Sequence, residues 1–329
     1  MRVILRLVAA GILTAFALPA AGATLKQVRF EAAYDEDNQL VAPVVAGSDV
    51  RLSFGEFTSS FDREAEIARS GGGLFTKGPV YSLDPAVDLA SLLRRYLEAE
   101  APKMGFATGA GGWRLGARVD EIYVESLQMS GYGAILFHGL MRLDVELSSP
   151  DGRSERLPMR FHNYYQQGSG GMNRKAPTEA AITHLLMEGG QELLARLNRS
   201  HFHAPPAAGV AAQVANVKAQ GAGKLHPELH AIGLSGSPDA VPVLLERLGR
   251  EEDENDRSVL INALARLGSP AVVKPLADRY AGEDEDCRWY TLKAMDYVGS
   301  DEALAVVREK GLADQEFFCQ MIAKAVLGQ

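Results

Sequence analysis

Apolar positions recur with two different periods along this chain, and the change from one to the other falls near residue 200. From Lys224 to Gln329 the spacing is helical and the pattern repeats: Gly236-Ser237-Pro238-Asp239-Ala240, Gly268-Ser269-Pro270-Ala271 and Gly299-Ser300-Asp301-Glu302-Ala303 stand at offsets of 32 and 31 residues. Each opens a helix. Before the last two comes another apolar-periodic run, whose small residue returns as Ala263, Ala294 and, in a final half-copy, Ala325. The unit is therefore a helix pair. Units of this length cannot bury an apolar face alone, so the pattern predicts an α-solenoid in which neighbours stack. The first copy is degenerate ahead of Gly236 and the last lacks its second helix, as capping units do.

The earlier part alternates with period two. Val50 to Phe57 predicts a strand, with a weaker one over Leu25 to Ala33, and Ser70 to Pro79, around Gly71-Gly72-Gly73, predicts a flexible loop. The three glycines lack the Gly-Lys-Ser/Thr ending and the helix start of a phosphate loop. Asp84-Pro85 is placed to cap and open a helix whose stripe is Leu89, Leu92, Leu93, Tyr96 and Leu97, ending at Gly105. Strands over Trp113 to Leu127, Ala134 to Ser148 and Ser154 to Tyr165 follow, the last two joined by the turn Pro150-Asp151-Gly152-Arg153. Leu140, Arg142, Asp144 and Glu146 alternate with Met141, Leu143, Val145 and Leu147, which predicts one wet and one buried face. A Leu-rich helix over Thr178 to Asn198 closes the region. The order predicts an α+β domain, mainly an antiparallel sheet with two helices on one face, followed by a short all-α solenoid.

Flanking segments set the boundaries. Residues 1–23 carry Arg2 and Arg6, an apolar run from Leu7 to Leu18 and Ala21-Gly22-Ala23, the pattern of a cleaved secretory signal. The run is too short for a comfortable membrane span, and Thr24 stands where a bacterial lipoprotein carries its lipidated Cys, so a soluble periplasmic protein without a stable membrane anchor is expected. The α+β domain covers 24–202. An Ala/Pro/Gly-rich linker covers 203–223, in which Val210 to Ala219 has the composition of a short helix, and the repeats cover 224–329. Relative motion of the two domains is the default expectation.

Charge narrows the partner class. The formal net charge is −8, and removing Arg2 and Arg6 leaves 32 basic against 42 acidic residues, or −10. This argues against a general nucleic-acid role. Two cysteines, Cys287 and Cys319, allow one disulfide and imply no framework.

The repeats resemble bacterial HEAT repeats of the short kind found in phycocyanobilin-lyase-like proteins. The resemblance rests on Arg257 to Pro270 followed by Ala271 to Leu276, and on the next copy from Arg288 to Gly299 and Glu302 to Val307. It implies an interaction scaffold and no enzyme. The earlier domain resembles the periplasmic domains of YajG-like and ABC-transport-auxiliary lipoproteins, through Phe61-Asp62-Arg63, the Leu-rich helix running into Met104-Gly105-Phe106, the strand Leu115 to Val124, the pair around Asp151-Gly152 and the closing helix. That resemblance implies an accessory role at the envelope, and the lipobox Cys is missing.

Candidate chemistry is sparse. His226 and His230 are four apart, a spacing that puts both rings on one helical face and suits a metal, but Pro227 occupies the position of the zincin glutamate. Ser126 and Ser130 have no motif around them, and Ser169 is flanked by Gln167 and Gly171 where a nucleophile elbow needs two glycines. Two repeated features are more informative. Glu251, Glu252 and Asp253 and then Glu283, Asp284 and Glu285 occupy the same inter-repeat turn, where carboxylates either cap helices or form an edge for a basic partner or calcium. A second ladder, Glu246-Arg247, Asp278-Arg279 and Glu309-Lys310, either pairs between repeats or is presented to a partner. A non-catalytic periplasmic scaffold binding a protein partner, within an envelope complex, is the function expected, with no cofactor or metal. A metal-dependent enzyme and a chaperone-like holder of exported chains are the alternatives.

Overall fold

The computed structural model describes residues 23–25, 40, 42–60, 66–71, 77–84, 87–128, 135–167, 175–219 and 226–329. The signal expected over 1–23 lies outside them except for Ala23. Among the described residues eight strands form one sheet: β1 (Ala23–Leu25), β2 (Arg51–Ser59), β3 (Ala68–Gly71), β4 (Lys77–Leu83), β5 (Ala107–Thr108), β6 (Trp113–Gln128), β7 (Ile135–Ser148) and β8 (Ser154–Gln167). Strands β6, β7 and β8 make the antiparallel meander that alternation predicts, in register from Arg114↔Ser148 to Ile135↔Gln167. The far edge of β6 differs from expectation. Its first half pairs in parallel with β2 and its second half in parallel with β3, which joins β4 and then β1. The sheet is thus mixed. Ser70 and Gly71, expected in a loop, belong to β3, and Pro79 to β4. Both strands are short and glycine-interrupted, so neither shows a clean period of two.

Two helices cover one face of this sheet. The first, α1 (Leu89–Met104), buries Leu89, Leu92, Leu93, Tyr96 and Leu97, as its stripe requires. Its cap is Asp88 rather than Asp84: the Asp88 carboxylate accepts from Ser91 N at 3.1 Å, and Gly105 ends the helix at φ 110°. The second, α2 (Lys175–Leu197), lies close against β7 because Gly189 has no Cβ, which would come within 2.4 Å of Met141 Cε. Its Ile182, Leu185, Leu186, Leu193 and Leu194 are buried.

The remaining described elements are helical: α3 (Ala208–Ala219), α4 (His226–Ser235), α5 (Ala240–Leu248), α6 (Glu254–Leu267), α7 (Val273–Arg279), α8 (Glu285–Val298), α9 (Asp301–Val306) and α10 (Phe317–Leu327). Gly236, Gly268 and Gly299, the repeated glycines, all adopt the left-handed region at φ 69°, 60° and 66°. A Cβ is strained there, which explains why the repeat signature begins with Gly. Ala263 and Ala294 are fully buried between neighbouring units, and Gly233 brings α4 so close to α6 that its Cβ would lie 3.1 Å from the Ala263 backbone.

The segment expected as linker is built into the fold. Ala46 N donates to Pro205 O at 2.7 Å, Ala207 N donates to Val44 O at 3.0 Å, and Val210, Val214 and Val217 of α3 are buried in the helical core. The short helix expected over Val210 to Ala219 lies within α3, and its valines recur at helical spacing inside the Ala-rich stretch. The two cores also interlock. Ala231 and Leu234 of α4 join the sheet's core, while Leu127, Leu136 and Tyr164 of the sheet pack against that of the repeats.

Candidate functional site

Because β-strand side chains alternate, β7 and β8 present two sets of residues. Phe137, Met141 and Phe161 point toward α2, while His138, Leu140, Arg160, His162 and Tyr164 occupy the other face, the one expected to be wet. Its His138–Leu140 end is covered instead, while Glu146 at the other end is exposed. Trp289 of α8 packs edge-on against His138 at 5.4 Å between ring centroids and tilted against Tyr164 at 5.6 Å, and Phe318 of α10 also meets both rings.

Beside this aromatic contact lies a network of buried charges. Glu192 of α2 is reached by three donors from the repeats: Lys293 Nζ at 2.7 Å, Arg266 Nε at 2.9 Å and the Tyr297 hydroxyl. Burial pushes the Glu192 carboxyl up, but Lys293 and Arg266 outweigh it and hold the group at about 2. One turn back, Glu188 faces Arg266 Nη2 at 3.3 Å and accepts from the Asn163 amide. Lys293, fully buried, also donates to Asn262 Oδ1 at 3.2 Å. Burial lowers its pKa and Glu192 opposes the shift. Arg196 of α2 stacks its guanidinium over Tyr297, 4.8 Å from the ring centre.

A second junction is made by Asp296. Arg160 Nη2 binds one of its oxygens at 2.6 Å and His162 Nε2 the other at 3.2 Å. Burial raises the Asp296 carboxyl, yet His162 and Arg160 bring it down to about 2. Burial pulls His162 below its ordinary value, against the opposing pull of Asp296. His138 beside it is pulled down to about 3 by burial and by His162. Isolated charges this deep cost several kcal/mol each, and only mutual pairing with the remaining hydrogen bonds offsets that. Both junctions join the sheet domain to the repeats.

The repeated helices that make this seam have relatives among known proteins. Residues 229–296 match the family of HEAT repeats. The chain is also similar to three solved structures: the protein XCC0632 of Xanthomonas campestris, assigned to the family DUF330 (16% identity, 46% of this chain and 87% of that one, TM-score 0.31); an uncharacterized protein (15%, 46% and 95%, 0.26); and a minor lipoprotein of Acinetobacter baumannii (12%, 50% and 98%, 0.25). No curated protein matches the sequence. HEAT repeats are protein-interaction elements, and here one face of the HEAT stack lies against the chain's own sheet and α2.

The sequence-derived residues fall elsewhere on the HEAT stack. Arg257 of α6 reaches into the next unit to Glu283 at 2.8 Å and Asp284 at 3.4 Å, and Arg288 of α8 reaches Asp314 at 3.0 Å in the unit after. Part of the acidic ladder thus staples repeat to repeat. Asp253 and Asp284 also cap α6 and α8 through Asp256 N at 3.1 Å and Cys287 N at 2.9 Å. Glu252 is exposed, and Glu285 is pushed up to about 7 by burial and by Glu316 and Asp286. In the second ladder, Arg247 binds Glu251, and Arg279 binds Glu283 at 2.8 Å. Glu246 pairs with Arg250 at 2.5 Å and Asp278 with Lys274 at 2.8 Å, all exposed, while exposed Glu309 and half-buried Lys310 sit in the turn after α9.

The remaining candidates have structural partners. His226 faces Asp256 at 3.4 Å, whereas His230 binds Gln191 Oε1 of α2 at 2.9 Å, so the two rings do not converge on one point. Among the described residues the one trio of metal-ligating types that converges is Glu283, Asp284 and Cys287, and both carboxylates are already bound by arginines. Cys287 and Cys319 are free and buried, each directed to a backbone carbonyl of the preceding unit, and burial raises both thiols. Ser126 donates weakly to Arg69 O at 3.5 Å, and Ser130 and Ser169 lie outside the described residues. Sequence reasoning missed Glu188, Glu192, Lys293 and Asp296. The available sign was charge inside a buried stripe: two glutamates four apart in a Leu-rich helix, and Lys293 and Asp296 among the apolar residues of α8.

Proposed function

We propose that the protein is an exported, non-catalytic adaptor of the cell envelope that binds a protein partner through the outer side of its HEAT stack. The observation that carries this is the occupied inner face: Arg266, Lys293, Asp296 and Tyr297 are all engaged by α2 and β8 of the same chain. The surface left for another protein is the outer one, where Glu246, Asp278 and Glu309 alternate with Arg250, Lys274 and Lys310. Alternating exposed charges favour fast, selective encounter with a complementary protein and contribute little to folding. The signal-like pattern of residues 1–23 supports export, and no helix among the described residues is long and apolar enough to cross a membrane. The net negative charge favours a protein over a nucleic acid.

The test is crosslinking in the periplasm from a photo-reactive residue at position 278, with mass-spectrometric identification of what is captured. Capture of one protein, lost on joint reversal of Glu246, Asp278 and Glu309 to Lys, supports the proposal. Capture unaffected by the reversal places the partner elsewhere. Recovery of a full-length, membrane-bound chain in place of a soluble one beginning at Thr24 sinks the export part.

A further inference from the structure

Three of the seven histidines are buried in the seam between sheet and repeats: His138 at 2% exposure, His162 at 1% and His230 at 3%. Their hydrogen bonds set them apart. Neither ring nitrogen of His138 has a partner among the described residues, and neither has the indole nitrogen of Trp289, whose ring stands edge-on to it from α8. Across the ladder His138 faces Glu125 of β6 and Tyr164 of β8; the Glu125 carboxylate is taken by the Tyr123 hydroxyl, and the Tyr164 ring lies against Trp289. Phe318 of α10 and the ring of His162 complete the enclosure. For His230 of α4, the Gln191 amide nitrogen is turned to Glu100, so Gln191 Oε1 accepts from His230 Nε2 at 2.9 Å, and Nδ1 has no partner. The charges acting on this ring are Arg266 of α6 and Lys293 of α8, both of the sign that a proton would add.

A proton on either ring brings a charge, and an N–H without an acceptor, into a place closed to water, and neither is compensated there. Both rings are accordingly neutral: burial takes His138 down to about 3 and His230 well below the ordinary 6.5. His162 differs, since Asp296 stands 3.2 Å from its Nε2 and favours the charged ring. Released to water, His138 and His230 each regain the ordinary value, so each shifts the balance from closed to open seam by about tenfold per pH unit below about 6.5. At pH 4.5 the two together amount to about ten-thousandfold, enough to carry a two-state seam from about 1:99 open to about 99:1, with its midpoint at about pH 5.5. Glu192 and Asp296 are held at about 2, so the ion pairs they make are constant over this range and the opening reads the histidines.

We propose that the seam is a proton-released contact within the chain: uptake of one proton by His138 and one by His230 parts the sheet from the inner side of the HEAT stack while both cores stay folded, baring Trp289 and Phe318. The device belongs to the seam and does not rest on a partner at the outer side. Fluorine NMR of the whole mature protein carrying 5-fluorotryptophan, recorded from pH 7 downward, tests it. The two tryptophans report separately, because Trp289 lies in the seam and Trp113 packs on Phe202 in the sheet domain. The expected result is a Trp289 resonance that reaches its solvent-exposed position with a midpoint at about pH 5.5, while Trp113 keeps its native one. Both resonances changing together means unfolding and overturns the proposal, as does a Trp289 resonance unchanged at pH 4. His138→Phe keeps an aromatic ring beside Trp289 and removes one titrating group, so the midpoint should fall by about one pH unit. An unchanged midpoint overturns the proposal. If that variant does not fold at pH 7, the ring-proton resonances of His138 in the unsubstituted protein decide: they must titrate together with Trp289, and a ring still neutral once Trp289 is exposed overturns it.

Discussion

The two sides of the HEAT stack carry the same kinds of residue and use them differently. On the inner side Arg266, Lys293 and Asp296 are buried and each meets an opposite charge of the sheet domain. On the outer side Lys274–Asp278 and Arg250–Glu246 are paired just as closely, yet all four residues stand in water. Distance alone therefore says little about what a pair does. A buried pair is strongly destabilising to break because the survivor cannot be hydrated, whereas an exposed pair contributes about 0 to 1 kcal/mol.

The sharpest way to break this contrast is Glu192→Leu. It leaves Lys293 and Arg266 buried without their shared acceptor, and a loss of about 3 to 5 kcal/mol is expected in a denaturant melt. Adding Lys293→Leu should recover part of the loss, since it removes a stranded charge. A Glu192→Leu protein that melts like the parent would show that the inner charges are no more coupled to folding than the outer ones.

Acid acts on the same side. Glu192 and Asp296 have folded values near 2, below the ordinary 4.5 and 3.8, so their contribution is present above the ordinary value and is lost as pH falls toward 2. For Glu192 that is on the order of 3 kcal/mol. His138, lowered from 6.5 to about 3, works in the same direction from a higher starting point, because the unfolded chain takes up a proton that the folded one refuses. Stability should decline from about pH 6.5 downward, at up to about 1.4 kcal/mol per pH unit for each such group. Melts recorded between pH 7 and pH 3 test this, and a flat profile would contradict the buried, neutral placement of His138.

Three smaller effects sharpen the comparison. Ala294→Leu should overpack the fully buried contact between units and cost about 1 to 3 kcal/mol without touching any charge. Asp278→Lys should shift the melt by less than about 1 kcal/mol, because both it and Lys274 are exposed. Arg279→Glu ought to cost more than Asp278→Lys, since Arg279 holds Glu283, whose side chain is only 4% exposed. If the two neighbours prove equal, the burial contrast within this ladder carries no energy.

Much of the architecture was legible in the sequence, because periodicity reports how an element meets its nearest layer. The meander β6–β7–β8, both helices of the first domain and the repeat step all follow from apolar spacing and from the glycines at 236, 268 and 299. The cap of α1 was misplaced by four residues because Asp84 and Asp88 are both plausible caps and only the hydrogen bond from Ser91 distinguishes them. The seam was not legible. Arg142, Asp144 and Glu146 make the outer face of β7 look wet, while two residues earlier His138 and Leu140 on that face are buried under α8 and α10. A pattern within one strand does not record which distant element covers which half of it. The arginine staples between repeats escaped for the same reason, since Arg257 and Glu283 are partners across 26 residues.

Glu192 has a mechanical consequence. An α-solenoid is ordinarily a spring, because its curvature is the sum of small rotations at each interface and every unit touches only its neighbours. Here one carboxylate grips Arg266 in one unit and Lys293 and Tyr297 in the next, and those units can no longer turn about each other without stretching that grip. Asp296 ties the second of them to β8 as well. The middle of the coil is thereby stiffened to the rigidity of the sheet, and Phe318 of α10, packed against His138 and Tyr164, extends that hold beyond α9.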